Sequence, residues 1–339
     1  MDHLSTPHAP SPLRAANKSH KANDTEAEDQ KAIDVVLAML QARGDLKCTP
    51  VNLDRIRRME DLLFVQEEEG LTYGFVRQNL ASEFGIEVEG KRDNHRLEGF
   101  LYADNNVQVI YLNALSGEIH HSGRRRFTFA HELGHYFLDA KPLLSSGLDG
   151  TFQLGCSYAA TERPDLAGRT SEGAFQAFRI ERRANRFAAE LLMPKGDLVA
   201  FLNERGPNLS LELIGEIATR YGTSFRAAAF RLIEVTDQPC ALVISNLTGR
   251  VSQVSLSGEL RAHPQYQIRR GHAIGTGTSL WRMANNVIKS RSPVIGWHDA
   301  RQWFPSISGP HPRVLEWTQG FHGFQVFMTL LHFDCGLPA

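Results

Sequence analysis

The sequence predicts an α+β protein of more than one domain, and three observations carry that prediction. An apolar helix over residues 127–138 contains His131-Glu132-Leu133-Gly134-His135. Two alternating segments joined by a polar turn precede it, and beyond residue 239 the periodicity changes from helical to strand-like. A length of 339 residues fits two or three domains.

Composition narrows the function classes. A net charge of -1 gives no global electrostatic reason to bind nucleic acid or a membrane surface, so such a surface would have to be a local patch. The four cysteines, Cys48, Cys156, Cys240 and Cys335, are far apart and form no C-x-x-C pair, which supports neither a disulfide framework nor a cysteine metal site. No leader-like apolar run opens the sequence and none is long enough to span a membrane, so a cytoplasmic protein is expected.

Taken in order, residues 1–30 are polar and nearly free of large apolar side chains, the composition of a disordered tail. Ile33, Val35, Val36, Leu37, Met39 and Leu40 predict a helix ending near Arg43-Gly44. A short helix follows Pro50, with Asn52 as its cap, and another runs through Phe75, Val76, Leu80 and Phe84 to Gly85. Residues 97–102 and 107–112 alternate as strands around Asp104-Asn105-Asn106, a good turn sequence. Residues 139–172 are rich in Gly and Pro without periodicity and read as a long loop near the site. Residues 174–193 form a second helix, with Phe175, Phe178, Ala184, Phe187, Ala188, Leu191 and Leu192 on its apolar face and Pro194 as its stop.

The H-E-x-x-H helix carries the chemistry. His131 and His135 fall one turn apart on one face, so both imidazoles can reach a single ion, and Glu132 sits beside them as a general base. A catalytic zinc site needs a third protein ligand. Asp139 lies one turn past His135 but would crowd the two histidines. Glu162 and Glu172 sit in or at the edge of the loop, a less rigid platform. Glu181 lies within the second helix, four residues before Asn185, on a face flanked by Phe178, Ala184 and Ala188. Burying that pair needs a compensating partner, which a metal supplies. Spacing alone leaves a second option open, an exposed Glu181 paired with Arg182 or Arg186.

Residues 125–135, followed by residues 181–194, resemble the ImmA/IrrE family of bacterial metallopeptidases, and Pro50-Val51-Asn52-Leu53 and residues 97–101 also fit. The resemblance covers about residues 45–240. It implies a zincin-like metallopeptidase domain with zinc, or alternatively manganese, on His131, His135 and Glu181. Glu132 would be the catalytic base, and Asn185, by its spacing from Glu181, is expected to stand behind the ligands. It implies as substrate a helix-turn-helix repressor of the XRE type, cut in a stress or DNA-damage response. The long gap between the two motifs and extra residues around 60–95 depart from the family pattern.

Residues 209–233 read as helix, turn, helix, with Gly222 at the turn and Ser224 capping the second helix. That helix offers Arg226 and Arg231 but is otherwise apolar, which favours a structural or docking role over base readout. DNA remains an alternative partner, as activator or through residues 210–233. The strands after residue 239, at 241–245, 251–256, 293–297 and 323–332 with a helix near 280–289, resemble in pattern the GAF-like sensory domain of radiation-response members of the family. Trp281, Trp297, Trp303 and Trp317 read as core aromatics, with a ligand pocket as the alternative. The expected layout is a tail (1–30), a metallopeptidase domain (31–205), a helix-turn-helix-like segment (206–238) and a GAF-like α/β domain (239–339). The rival function is a regulator that binds DNA or a repressor and whose metal site is not catalytic.

Overall fold

The computed structural model describes residues 12–61, 63–88, 93–114, 119–147, 150–156, 172–307 and 313–333. The chain is α+β and divides into two compact units, Met1–Gly117 with Thr128–Leu191, and Glu118–Phe127 with Leu192–Ala339.

The first unit opens with a helix, α1 (Pro12–Ala42). The tail expected to end at residue 30 therefore lies partly inside a helix, while residues 1–11 fall outside the described part. Within this helix Glu26, Glu28 and Asp29 pair with arginines of a later helix. Asn52 caps α2 (Leu53–Arg58) by accepting the Arg55 N–H at 3.0 Å. β1 (Leu63–Glu68) follows, then α3 (Tyr73–Phe84), capped by Thr72 and closed by Gly85.

The expected hairpin is β2 (Gly99–Ala103) and β3 (Gln108–Asn113), antiparallel with Leu101 opposite Ile110. Asp104 Oδ1 accepts the N–H groups of Asn106 at 2.8 Å and Val107 at 2.7 Å, which fixes the turn and hence the register. Two further strands complete the sheet in the order β1-β3-β2-β4, with β1 parallel to β3 and β4 (Phe152–Cys156) antiparallel to β2. The segment read as one long loop thus contains a strand, and residues 157–171 lie outside the described part. Phe100, Tyr102, Val109 and Tyr111 point to one face and share a core with Tyr73, Val76 and Leu80 of α3. By strand alternation Gly99, Leu101 and Ala103 face the other way.

The helix with the histidines, α4 (Ile119–His135), runs directly into a π-helical turn, Tyr136–Ala140, and then α5 (Lys141–Ser145). The second site helix is α6 (Glu172–Leu192). A Cβ at Gly134 would lie 3.1 Å from the Cα of Ala184 and from the Phe187 ring. A glycine on α4 opposite an alanine on α6 lets the two backbones approach, and this closeness brings their polar side chains within reach of one ion.

In the second unit α7 (Lys195–Arg205) precedes α8 (Leu211–Tyr221) and α9 (Phe225–Val235). Ser224 caps α9 by accepting the Ala227 N–H at 3.1 Å, as its sequence suggests. Arg231 is buried and donates to the Met193 carbonyl at 3.0 Å, and Arg226 donates to Gln253 at 2.5 Å. The two cations that could have read bases are thus held within the protein. The remaining strands, β5 (Cys240–Asn246), β6 (Val251–Leu256), β7 (Val294–Asp299), β8 (Arg313–Phe321) and β9 (Val326–His332), form an antiparallel sheet in the order β6-β5-β9-β8-β7. α9 packs on β5 and β6, so the residues expected as a separate helical segment share one compact unit with this sheet. Two short helices, α10 (Gly258–Ala262) and α11 (Ser279–Ala284), also pack on it.

Trp303 is fully buried in the core of this unit beside Phe304 and Tyr266. An open depression of about 630 Å³ is lined by Phe230, Val254, Leu256, Arg261 and Arg269, and none of the four tryptophans borders it. Beneath α11 lies a polar interior. Glu316 of β8 is fully buried and accepts from the N–H groups of Ser279 (3.1 Å) and Leu280 (2.7 Å), the Thr318 hydroxyl (2.8 Å) and the Trp303 indole (3.3 Å). No helix among the described residues is long and apolar enough to cross a membrane.

Candidate metal centre

His131 and His135 are buried on α4, with their Nε2 atoms 2.9 Å apart. Glu181 of α6 closes the triangle. Its Oε2 lies 3.3 Å from His131 Nε2 and its Oε1 lies 3.7 Å from His135 Nε2. Tetrahedral coordination with bonds of about 2.0–2.1 Å places neighbouring donors roughly 3.3 Å apart, so this spacing suits one ion. The donor set also suits it, since two imidazole nitrogens and a carboxylate are common zinc ligands, and these three could hold a metal.

The far side of each imidazole is held. His131 Nδ1–H donates to Asn185 Oδ1 at 3.1 Å, and His135 Nδ1–H donates to Asp139 Oδ2 at 3.2 Å. A proton fixed on Nδ1 leaves the Nε2 lone pair directed at the shared point. Asn185 stands where its four-residue offset from Glu181 suggested. Asp139, weighed as a ligand and set aside, bonds the back of His135 and is not among the three donors. Arg183, which sequence reasoning did not single out, donates to both Asp139 Oδ1 and, at 3.4 Å, the Leu138 carbonyl. The hint available was an arginine two residues after one candidate ligand and two before its neighbour on the same helix.

Neighbouring groups shift the titration of His131 and Glu181 in opposite directions. Burial acts to lower the pKa of His131, but Glu181, Glu132 and Asn185 outweigh it and hold the imidazole above its ordinary value. Burial acts to raise the pKa of Glu181, and His131 with His135 pulls it below the usual carboxylate range. The centre therefore carries an ionised carboxylate against two imidazoles.

Glu132 is fully buried next to His131. Opposite it lies Gly99 of β2, where a Cβ would sit 2.5 Å from Glu132 Oε1 and 2.9 Å from Thr128 Cγ2. A glycine in a strand interior often marks a close approach, and here it makes room for the carboxylate. On the sheet side, the Phe152 ring of β4 lies 6.4 Å from that of His135, centroid to centroid.

The family model described as the IrrE N-terminal-like domain of peptidase M78 matches residues 81–233, a span containing every residue of this centre. This segment matches the ImmA/IrrE family that its motifs resemble. The match over this segment suggests a metallopeptidase-like role and fits a metal ion at these residues. α1, α2 and β1 precede the matched ImmA/IrrE span, and the five-stranded sheet follows it. No curated protein matches the sequence. Among solved structures, a Mycobacterium tuberculosis transcriptional regulator is similar with a TM-score of 0.40 and 15% identity, over 83% of this chain and 75% of that one.

Proposed function

We propose that this protein is a metal-dependent endopeptidase in which His131, His135 and Glu181 hold zinc or manganese and Glu132 is the general base. The supporting observation is the convergence of three donor atoms from α4 and α6 beside a buried glutamate. A divalent ion held there polarises a peptide carbonyl and acidifies a water. Glu132 takes the proton from the attacking water and delivers it to the leaving amine nitrogen. Asn185 and Asp139 keep the two imidazoles oriented while charge develops. β4 forms one edge of the described sheet close to His135, so an extended peptide can add to that edge as a strand.

Family resemblance supports a helix-turn-helix repressor as the substrate, cut once so that stress or DNA-damage genes are released. The antiparallel sheet with α10 and α11 upon it is compatible with a GAF-like sensory module that governs when cleavage occurs. A DNA-reading role for residues 210–233 has less support, because Arg226 and Arg231 are engaged internally. The test is incubation of wild type and Glu132→Gln with zinc or manganese and the repressor encoded nearby, read by intact mass. A single cut by wild type alone supports the proposal. An intact repressor in both, with metal bound, would make the protein a binder and not a peptidase.

A further inference from the structure

Four arginines on α6, Arg179, Arg182, Arg183 and Arg186, are spaced so that they share one face of the helix. α1 meets them with carboxylates. Asp29, only 4% exposed, receives Arg179 on Oδ1 through Nε at 3.1 Å and through the terminal nitrogen at 2.9 Å, and Arg183 stands 3.6 Å from the same oxygen. Glu26 pairs with Arg182 at 3.3 Å and with Arg186, and Glu28 pairs with Arg179 at 3.4 Å. α1 also packs against the π-helical turn that follows His135.

Arg183 is the joint between this clasp and the metal centre. Its guanidinium lies between Asp29 and Asp139, and Asp139 in turn holds His135 Nδ1. We propose that α1 is a positioning element of the metal centre, acting through Asp29, Arg183 and Asp139 on the imidazole of His135. A planar guanidinium shared by two nearly buried carboxylates is fixed from both sides. Without the Asp29 charge, Arg183 keeps Asp139 as its one carboxylate partner among the described contacts, and Asp139 is drawn away from His135. The same helix carries Glu181 and Asn185 on either side of Arg183, so the contacts of Arg183 also bear on where those two side chains stand. α1 lies outside the matched span 81–233, so residues beyond that span reach the site through Arg183.

The inference rests on the reading that His131, His135 and Glu181 hold an ion, and the experiment separates the two. Zinc affinity of the full chain is measured by competition with a chromogenic chelator for wild type, Asp29→Asn, Arg183→Gln, the double variant, Arg182→Ala and His131→Ala. Asp29→Asn should weaken binding about ten-fold, the scale of contacts behind a ligand. It should add little in the Arg183→Gln background, while Arg182→Ala should match wild type. Wild-type affinity in Asp29→Asn, even with lowered thermal stability, would overturn the relay and leave α1 a structural support. If Asp29→Asn does not fold, wild-type affinity in Arg183→Gln overturns it equally. Equal affinity in wild type and His131→Ala would instead overturn the metal reading and the relay with it.

Discussion

Glu181 and Glu316 each lie against a histidine Nε2, at 3.3 Å from His131 and 3.4 Å from His298, yet their surroundings differ. Glu316 is enclosed by donors: two backbone N–H groups at the start of α11, a threonine hydroxyl and an indole. Burial dominates there and raises its pKa, with His298 pulling the other way. Glu181 instead faces two imidazole nitrogens whose opposite sides are already bonded, so three lone-pair bearers point at one spot. The two clusters share residue types but not surroundings. A carboxylate surrounded by donors completes a core, whereas acceptors that converge need a cation between them.

Breaking each cluster separates these roles. The largest effect is expected from Glu132→Gln, which should lower the cleavage rate about 10³-fold in a peptide assay while zinc binding persists. Glu316→Ala should cost about 3–5 kcal/mol of stability in urea denaturation, because it strands buried donors and His298, and should leave zinc affinity unchanged. Glu60 sharpens the comparison as a third case. It accepts from Arg43 at 2.7 Å, Lys141 at 2.5 Å and Tyr136 at 3.0 Å. Burial acts to raise its pKa, but Lys141 and Arg43 bring it below the usual carboxylate value. A depressed folded-state pKa adds stability above the unfolded value, and that stability is lost as pH falls through the folded one. Glu60→Gln should therefore cost about 2 kcal/mol at neutral pH, with the gap to wild type closing in acid denaturation curves. Asn185→Ala is expected to have the smallest effect, weakening zinc binding about ten-fold by freeing the His131 ring.

Much of this fold is written locally. Periodicity locates α4, α6, α8 and α9, Asn52 and Ser224 announce their caps, and Asp104 announces the hairpin turn. The elements that escape reading lack a local signature. β8 buries alternate positions, but two of them are Glu316 and Thr318, so its alternation of burial is not an alternation of hydrophobicity. β1 ends in Gln66, Glu67 and Glu68, β4 sits within a glycine-rich stretch, and the part of α1 before the helix expected from Ile33 owes its place partly to ion pairs with residues about 150 positions away. The centre divides the same way. Both histidines, Glu132, Glu181 and Asn185 follow from helical spacing and resemblance. Gly99, Arg183 and the placement of Asp139 behind His135 depend on which elements pack together, which spacing within one helix does not encode.

The most direct test of the account counts metal. Full-length wild type, Glu132→Gln, His131→Ala and Glu181→Ala are dialysed to equilibrium against micromolar zinc, and bound ion per chain is measured by atomic emission. One ion per chain is expected in wild type and Glu132→Gln, with loss of it in both other variants. One ion per chain retained in His131→Ala and Glu181→Ala would place the metal elsewhere and contradict the account.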